Sequence, residues 1–209
     1  MVARTLTVAL LLLAALALVA GVSGCSGVPA DKRPSVTGNL VENGDFEQAS
    51  PGMNGPEGWY ATVLPETEQH VTFEWDDAVA HSGERCVSVA ISDLHPEERV
   101  DYNWTQPVGG CRPGETYELR AWVKPENLRS SAFIVVQCWN VTLSEMLGYA
   151  STHQEMPVLG TTDWTPVRAT FTVPEDTHEV RIRAGISCPM SKGGKAWFDD
   201  VKITPVRGT

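Results

Sequence analysis

From Asn39 to Ile203 the chain is built of short runs in which every second residue is apolar, and Gly, Pro, Asn and Asp separate them. That period is the signature of half-buried strands, and no comparable stretch carries the three-to-four residue period of a helix. The runs are His70–Trp75, Cys86–Ile91, Val100–Val108, Tyr117–Lys124, Ala132–Trp139, Val167–Val173, Val180–Ile186 and Trp197–Ile203, with Leu40–Phe46 as a first short strand or edge segment. The turns between them have mechanisms. Pro113-Gly114 precedes the Tyr117 run, Ser82-Gly83 precedes the Cys86 run, and Lys192-Gly193-Gly194-Lys195 joins the last two. Leu143–Tyr149 is long enough for one helical turn, but it is read here as part of the longest irregular stretch, Ser144–Thr162. Long loops in compact domains often carry function. The expectation is one all-β domain over 39–209, large enough to bury a core.

The N-terminus reads differently. Arg4 precedes an apolar run from Val8 to Ala20, too short for a membrane span but suited to a signal-peptide core. Val22-Ser23-Gly24-Cys25 then resembles a bacterial lipobox, with Cys25 as the lipidated residue and Val22 in place of the usual Leu. Residues 1–25 are therefore expected to be a lipoprotein signal peptide. Residues 26–38, rich in Pro, Ser, Gly and charge, are expected to be a flexible tether. This implies an exported protein of the cell envelope, lipid-anchored to a membrane outside the cytoplasm. In such a host the sequons at Asn103 and Asn140 are chance matches. The net charge of −10 excludes nucleic acid as a partner, because phosphate recognition needs basic patches.

The remaining cysteines are Cys86, Cys111, Cys138 and Cys188, an even number in an exported chain. Three pairings are open. Cys86 opens one run and Cys111 follows the next, while Cys138 ends one run and Cys188 follows another. The expected bridges are Cys86–Cys111 and Cys138–Cys188, against the alternative of free buried thiols.

In order, the chain carries Asn43-Gly44-Asp45-Phe46-Glu47, Gly58-Trp59, His81-Ser82-Gly83, Val87-Ser88-Val89, Pro113-Gly114-Glu115-Thr116-Tyr117 and Ala121-Trp122-Val123-Lys124. It continues with Trp164, Phe171-Thr172-Val173-Pro174 and Trp197-Phe198-Asp199-Asp200-Val201. This series resembles carbohydrate-binding modules of families four, nine and twenty-two. The resemblance implies an all-β, two-sheet β-sandwich jelly roll of the galactose-binding-domain-like type, and non-catalytic binding of a poly- or oligosaccharide. A structural or protein-interaction module of the envelope is the alternative. The resemblance also implies framework roles for Trp59, Trp164 and Trp197. It further implies a structural Ca²⁺ held by Glu47 and Asp199, whose oxygen chemistry suits that ion. Strand parity groups Asp199 with Val201 and Ile203 on the core side; the alternative is that its carboxylate caps backbone N–H groups.

Aromatic rings cover the apolar faces of sugars, and planar polar side chains answer their hydroxyls. The residues opposite the core parity supply both: Arg120 and Trp122, Gln137 and Trp139, and Arg181 and Arg183. Trp104 and Gln106 lie together on a further strand. If these strands share one sheet, its outer face is a glycan cleft. Catalysis has little support. No nucleophile elbow, zinc-binding His pair or phosphate loop is present, and the carboxylate pairs are sequence neighbours rather than facing groups.

Overall fold

The computed structural model describes residues 38–206, so the signal peptide, Cys25 and nearly all of the tether lie outside the described residues. The strands are β1 (Tyr60–Thr62), β2 (Val71–Asp76), β3 (Cys86–Ile91), β4 (Val100–Val108), β5 (Thr116–Glu126) and β6 (Leu128–Trp139). They continue as β7 (Met146–Ser151), β8 (Val158–Gly160), β9 (Thr165–Thr172), β10 (Glu179–Cys188) and β11 (Lys195–Pro205), with a 3-10 turn at Glu68–His70 and a short α-helix, α1 (Thr152–Glu155). One sheet runs β1-β4-β10-β6-β7, with β8 added to β6; the other runs β2-β3-β11-β5-β9. Every pairing is antiparallel. This is the expected two-sheet sandwich.

The inward faces make the core. Val87, Val89, Tyr117, Leu119, Val123, Phe198 and Ile203 come from one sheet, and Tyr102, Trp104, Ile134, Val136, Ile182 and Ile186 from the other. Alternation works because successive strand side chains point to opposite faces. Connections between the sheets are what the period could not show. Consecutive strands β3 and β4 lie in opposite sheets, as do β4 and β5.

Three segments differ from the expectation. Residues 41–45 form turns rather than a strand. They are fixed to β11 by Leu40 N–H to the Ile203 carbonyl (2.9 Å), Val201 N–H to the Gly44 carbonyl (2.7 Å) and the Asn39 side-chain amide (3.1 and 2.9 Å). The stretch 144–162 is largely regular, supplying β7, α1 and β8. β1 escaped notice because three residues are too short to show a period.

The cysteines are all free among the described residues, so neither expected bridge exists. Their places in the fold explain why. Cys86 opens β3, where its thiol donates to the Val79 carbonyl at 2.7 Å, while Cys111 lies in the loop between β4 and β5. Cys138 stands opposite Val180 at one end of β10, whereas Cys188 ends the same strand opposite Val100. Eight residues of extended strand separate those positions by about 26 Å. Cys188 instead contacts His95 Nδ1 at 3.1 Å in a buried cluster with Tyr102.

Candidate functional site

The outer face of the β1-β4-β10-β6-β7 sheet holds a cleft of about 170 Å³ lined by Asp101, Asn103, Phe133, Val135, Gln137, Tyr149, His153, Arg183 and Ser187. Cross-strand register builds it. One row aligns Tyr60, Thr105, Arg183, Val135 and Ser151. The next aligns Pro107, Arg181, Gln137 and Tyr149. A third aligns Asn103, Gly185 and Phe133. Gly185 is necessary here: a Cβ would overlap the Tyr102 carbonyl oxygen and crowd Asn103, so any side chain would force β4 from β10.

A chain of polar contacts crosses this floor. The Thr62 and Thr105 hydroxyls meet at 3.1 Å, and Thr105 donates to Asn103 Oδ1 at 2.6 Å. Arg183 Nη1 approaches the same oxygen at 3.4 Å, while Nε donates to Gln137 Oε1 at 3.1 Å. Ser187 donates to Asp101 Oδ1 at 2.6 Å, and Ser151 is hydrogen-bonded to His153. Burial draws the Arg183 pKa below its usual value, helped by the neighbouring charge of Arg181; Tyr60 and Asp101 oppose the shift. Tyr149 and Tyr60, both well exposed, stand at the two edges of the sheet. The cleft therefore combines aromatic surface with planar amide and guanidinium groups already oriented by one another.

The matching family model is described as carbohydrate binding domain, and it matches residues 38–189. The chain belongs to this carbohydrate-binding family. Solved structures show the same fold. The CBM22-1 xylan-binding domain from Paenibacillus barcinonensis Xyn10C superposes with a TM-score of 0.56 at 13% identity, over 85% of this chain and 100% of that one. Tailspike protein 4 of bacteriophage CBA120, an enzymatically active domain, gives 0.56 at 14% identity over 80% of this chain. The CBM22-1-GH10 modules of Clostridium thermocellum xylanase 10B, complexed with xylohexaose, give 0.52 at 16% over 73%. The chain spans only 21% and 27% of those last two chains. No curated protein matches the sequence.

Within this carbohydrate-binding domain the expected ligand residues separate. Gln137 and Arg183 line the cleft. Arg181 shares its face but is paired with Glu179, Nε to Oε1 at 2.8 Å. Trp139 lies at the edge of that face, beyond the cleft lining, with its Nε1 buried and lacking an acceptor. Trp104 and Gln106 point the other way. β4 buries Tyr102, Trp104, Gln106 and Val108 on its inner side, so Asn103 and Thr105 are its outward residues. Trp104 packs edge-on against Phe73 at 5.6 Å and donates to the Ser88 carbonyl at 3.0 Å. The Gln106 amide clamps Glu42, accepting from its N–H and donating to its carbonyl, each at 2.9 Å. Arg120 and Trp122 belong to β5 in the other sheet.

A larger hollow of about 450 Å³ does lie beside Arg120 and Trp122, with Pro166, Arg168, Asp200 and Lys202. One face of Trp122 is already taken by the His81 ring, stacked at 3.9 Å, and Arg120 and Lys202 are paired with Glu118 and Asp200. The smaller cleft is the better candidate site on those grounds. Its residues Asn103, Phe133, Tyr149, His153, Asp101 and Ser187 were missed in the sequence. Correct parity on β4 would have found Asn103, and Phe133 stands two residues before Val135 on the outward parity of β6.

The carboxylates matched to a cation converge on one turn. Asp199 Oδ2 accepts the His81 and Ser82 N–H groups at 2.8 and 3.1 Å, and Glu47 Oε1 accepts those of Glu84 and Arg85 at 2.8 and 2.9 Å. Gly83, at φ +63°, lies so close to Glu47 that a Cβ would overlap its carboxylate. Burial pushes the Asp199 pKa up to about 6, against the three N–H donors that favour its charge. The parity argument for Asp199 fails, because β11 bulges at Asp200 (φ 52°) and the register against β5 slips between Asp199 and Lys202. Asp199 stands opposite Trp122, outside the core layer, and is buried with the 81–82 backbone on its carboxylate. His81, Asp199 and Asp200 also bring ligand atoms together, but His81 Nδ1 and Asp200 Oδ2 bond directly at 2.8 Å.

Proposed function

We propose that this protein is a non-catalytic carbohydrate-binding module of an exported, lipid-anchored lipoprotein, and that a poly- or oligosaccharide lies across the cleft on the β1-β4-β10-β6-β7 sheet. The observation that carries this reading is the Asn103–Arg183–Gln137 network between Tyr60 and Tyr149. Preset planar donors and acceptors match sugar hydroxyls with little further ordering, and exposed rings match C–H faces. Membership of the family and the xylan-binding neighbour support it. Binding without hydrolysis is supported by the lining, where Asp101 is the lone carboxylate; glycoside hydrolysis ordinarily uses two. Calorimetry of the purified protein against soluble glycans is the test. Tyr149→Ala should weaken binding about tenfold or more, and an undiminished affinity would remove the cleft from the reading. Absence of binding to any glycan would favour the structural-module alternative.

The calcium reading is part of the same proposal. Glu47 and Asp199 would hold the ion, which would supply charge neutralisation for a buried carboxylate. The fit rests on two carboxylates gripping one glycine-containing turn, with Asp199 wholly buried and lacking any cationic partner among the described ion pairs. Calcium should raise the melting temperature and a chelator lower it; an unchanged melting temperature in both would exclude the site. The anchor is tested by Cys25→Ser, which should move the protein from the membrane fraction to the soluble one.

A further inference from the structure

We infer that the cleft selects glycans that carry carboxylates, uronic-acid chains, with Arg183 as the residue that reads the charge. This rests on the cleft being the sugar site.

The outward column of β10 is Glu179, Arg181, Arg183, Gly185 and Ser187. Arg181 is neutralised by Glu179. Arg183 appears in none of the ion pairs among the described residues. Its hydrogen-bond acceptors are the neutral amide oxygens of Gln137 and Asn103. By contrast, Arg120, Lys202 and Lys195 on the other sheet each have a carboxylate partner.

Burial weakens the charged form of Arg183, and the adjacent Arg181 weakens it further. Tyr60 and Asp101 ease this; the Asp101 carboxylate, in the same cleft lining, accepts a hydrogen bond from Ser187. A partly desolvated cation held on neutral oxygens gains more from a carboxylate than from a hydroxyl, because only the carboxylate adds an opposite charge and a bidentate acceptor. The guanidinium N–H groups not used by Gln137 and Asn103 remain for a ligand, and their planar fork matches a carboxylate. Thr105 also donates to Asn103 Oδ1, so the amide that orients the guanidinium is itself held. The chain's net charge of −10 repels polyanions at long range, so the preference must be local to Arg183.

The test is calorimetry of the purified protein with polygalacturonate, glucuronoxylan and alginate, each beside its carboxyl-reduced counterpart. At least one acidic chain should bind about tenfold or more tightly than its reduced form. Arg183→Gln should bring the acidic chain down to the affinity of the reduced one, and Arg183→Lys should keep part of the preference. Near-ultraviolet circular dichroism verifies that both variants are folded. Equal binding of every acidic chain and its reduced form, or a preference unchanged in Arg183→Gln, would overturn the inference while leaving a neutral-sugar cleft intact. Binding of neither class would remove the cleft reading and this inference together.

Discussion

Asp199 shows how one residue ties pH to stability. Its folded pKa is raised from 3.8 to about 6, chiefly by burial. Stability from the protonated form is present below about pH 4 and is lost as pH rises to about 6, since the unfolded chain ionises first. Asp76 and Asp200 have lowered values despite burial, held down chiefly by the Trp197 indole N–H and by Lys202 respectively, and contribute the opposite slope at lower pH. Chemical denaturation at pH 4 and pH 7 in calcium-free buffer should therefore show a loss in the native protein that Asp199→Asn reduces. Gln106 makes a different kind of residue-level prediction. Removing its amide in Gln106→Ala leaves the Glu42 N–H without its acceptor, while the Glu42 carbonyl keeps the Trp59 indole N–H at 3.2 Å, and should cost about 1 kcal/mol. Because it faces inward, glycan affinity in the folded fraction should not change.

At the scale of elements, β4 and β10 are joined across the cleft floor at Gly185. Gly185→Ala must separate them, since the clash is with backbone rather than with a flexible side chain. Thermal unfolding should show a loss of about 1–3 kcal/mol, with weaker glycan binding because Asn103 and Arg183 flank the displaced point. The cysteine-bearing strands predict an insensitivity. With Cys86, Cys111, Cys138 and Cys188 all free, a reducing agent should leave the melting temperature unchanged. Denatured, unreduced protein should react with a thiol reagent at all four. Burial raises the Cys111 thiol to about 12 and Cys86 further still, so native reaction at neutral pH should be slow.

At the scale of the whole molecule, the sandwich sends its two sets of outward residues to opposite sides. Tyr149, Gln137 and Arg183 face one way; Trp122, Arg120 and Lys202 stand on the other sheet. A single ligand in the cleft therefore cannot touch both. Trp122→Ala should leave glycan affinity unchanged, while Tyr149→Ala should weaken it, and calorimetry of the two variants separates the faces directly.

By itself, the sequence determined the class of fold, most of the strands and, β4 and the bulged β11 apart, their inward residues, because a two-residue period is a local property of the chain. It also marked Gln137 and Arg183 as outward, since β10 alternates along its length and β6 keeps one parity against it from Phe133 to Gln137. Tertiary structure decided the rest. Which strands share a sheet is a matter of long-range pairing, and this separated Trp122 from Arg183, while register along β10 kept Cys138 from Cys188. The bulge at Asp200 reversed the parity of Asp199, as one extra residue in a strand always does. On β4 the core took Trp104 and Gln106 because the Trp104 ring fills the space over Phe73 and the Gln106 amide is satisfied by backbone. A buried polar group is accepted where its partners already wait, and no local pattern announces where that will be.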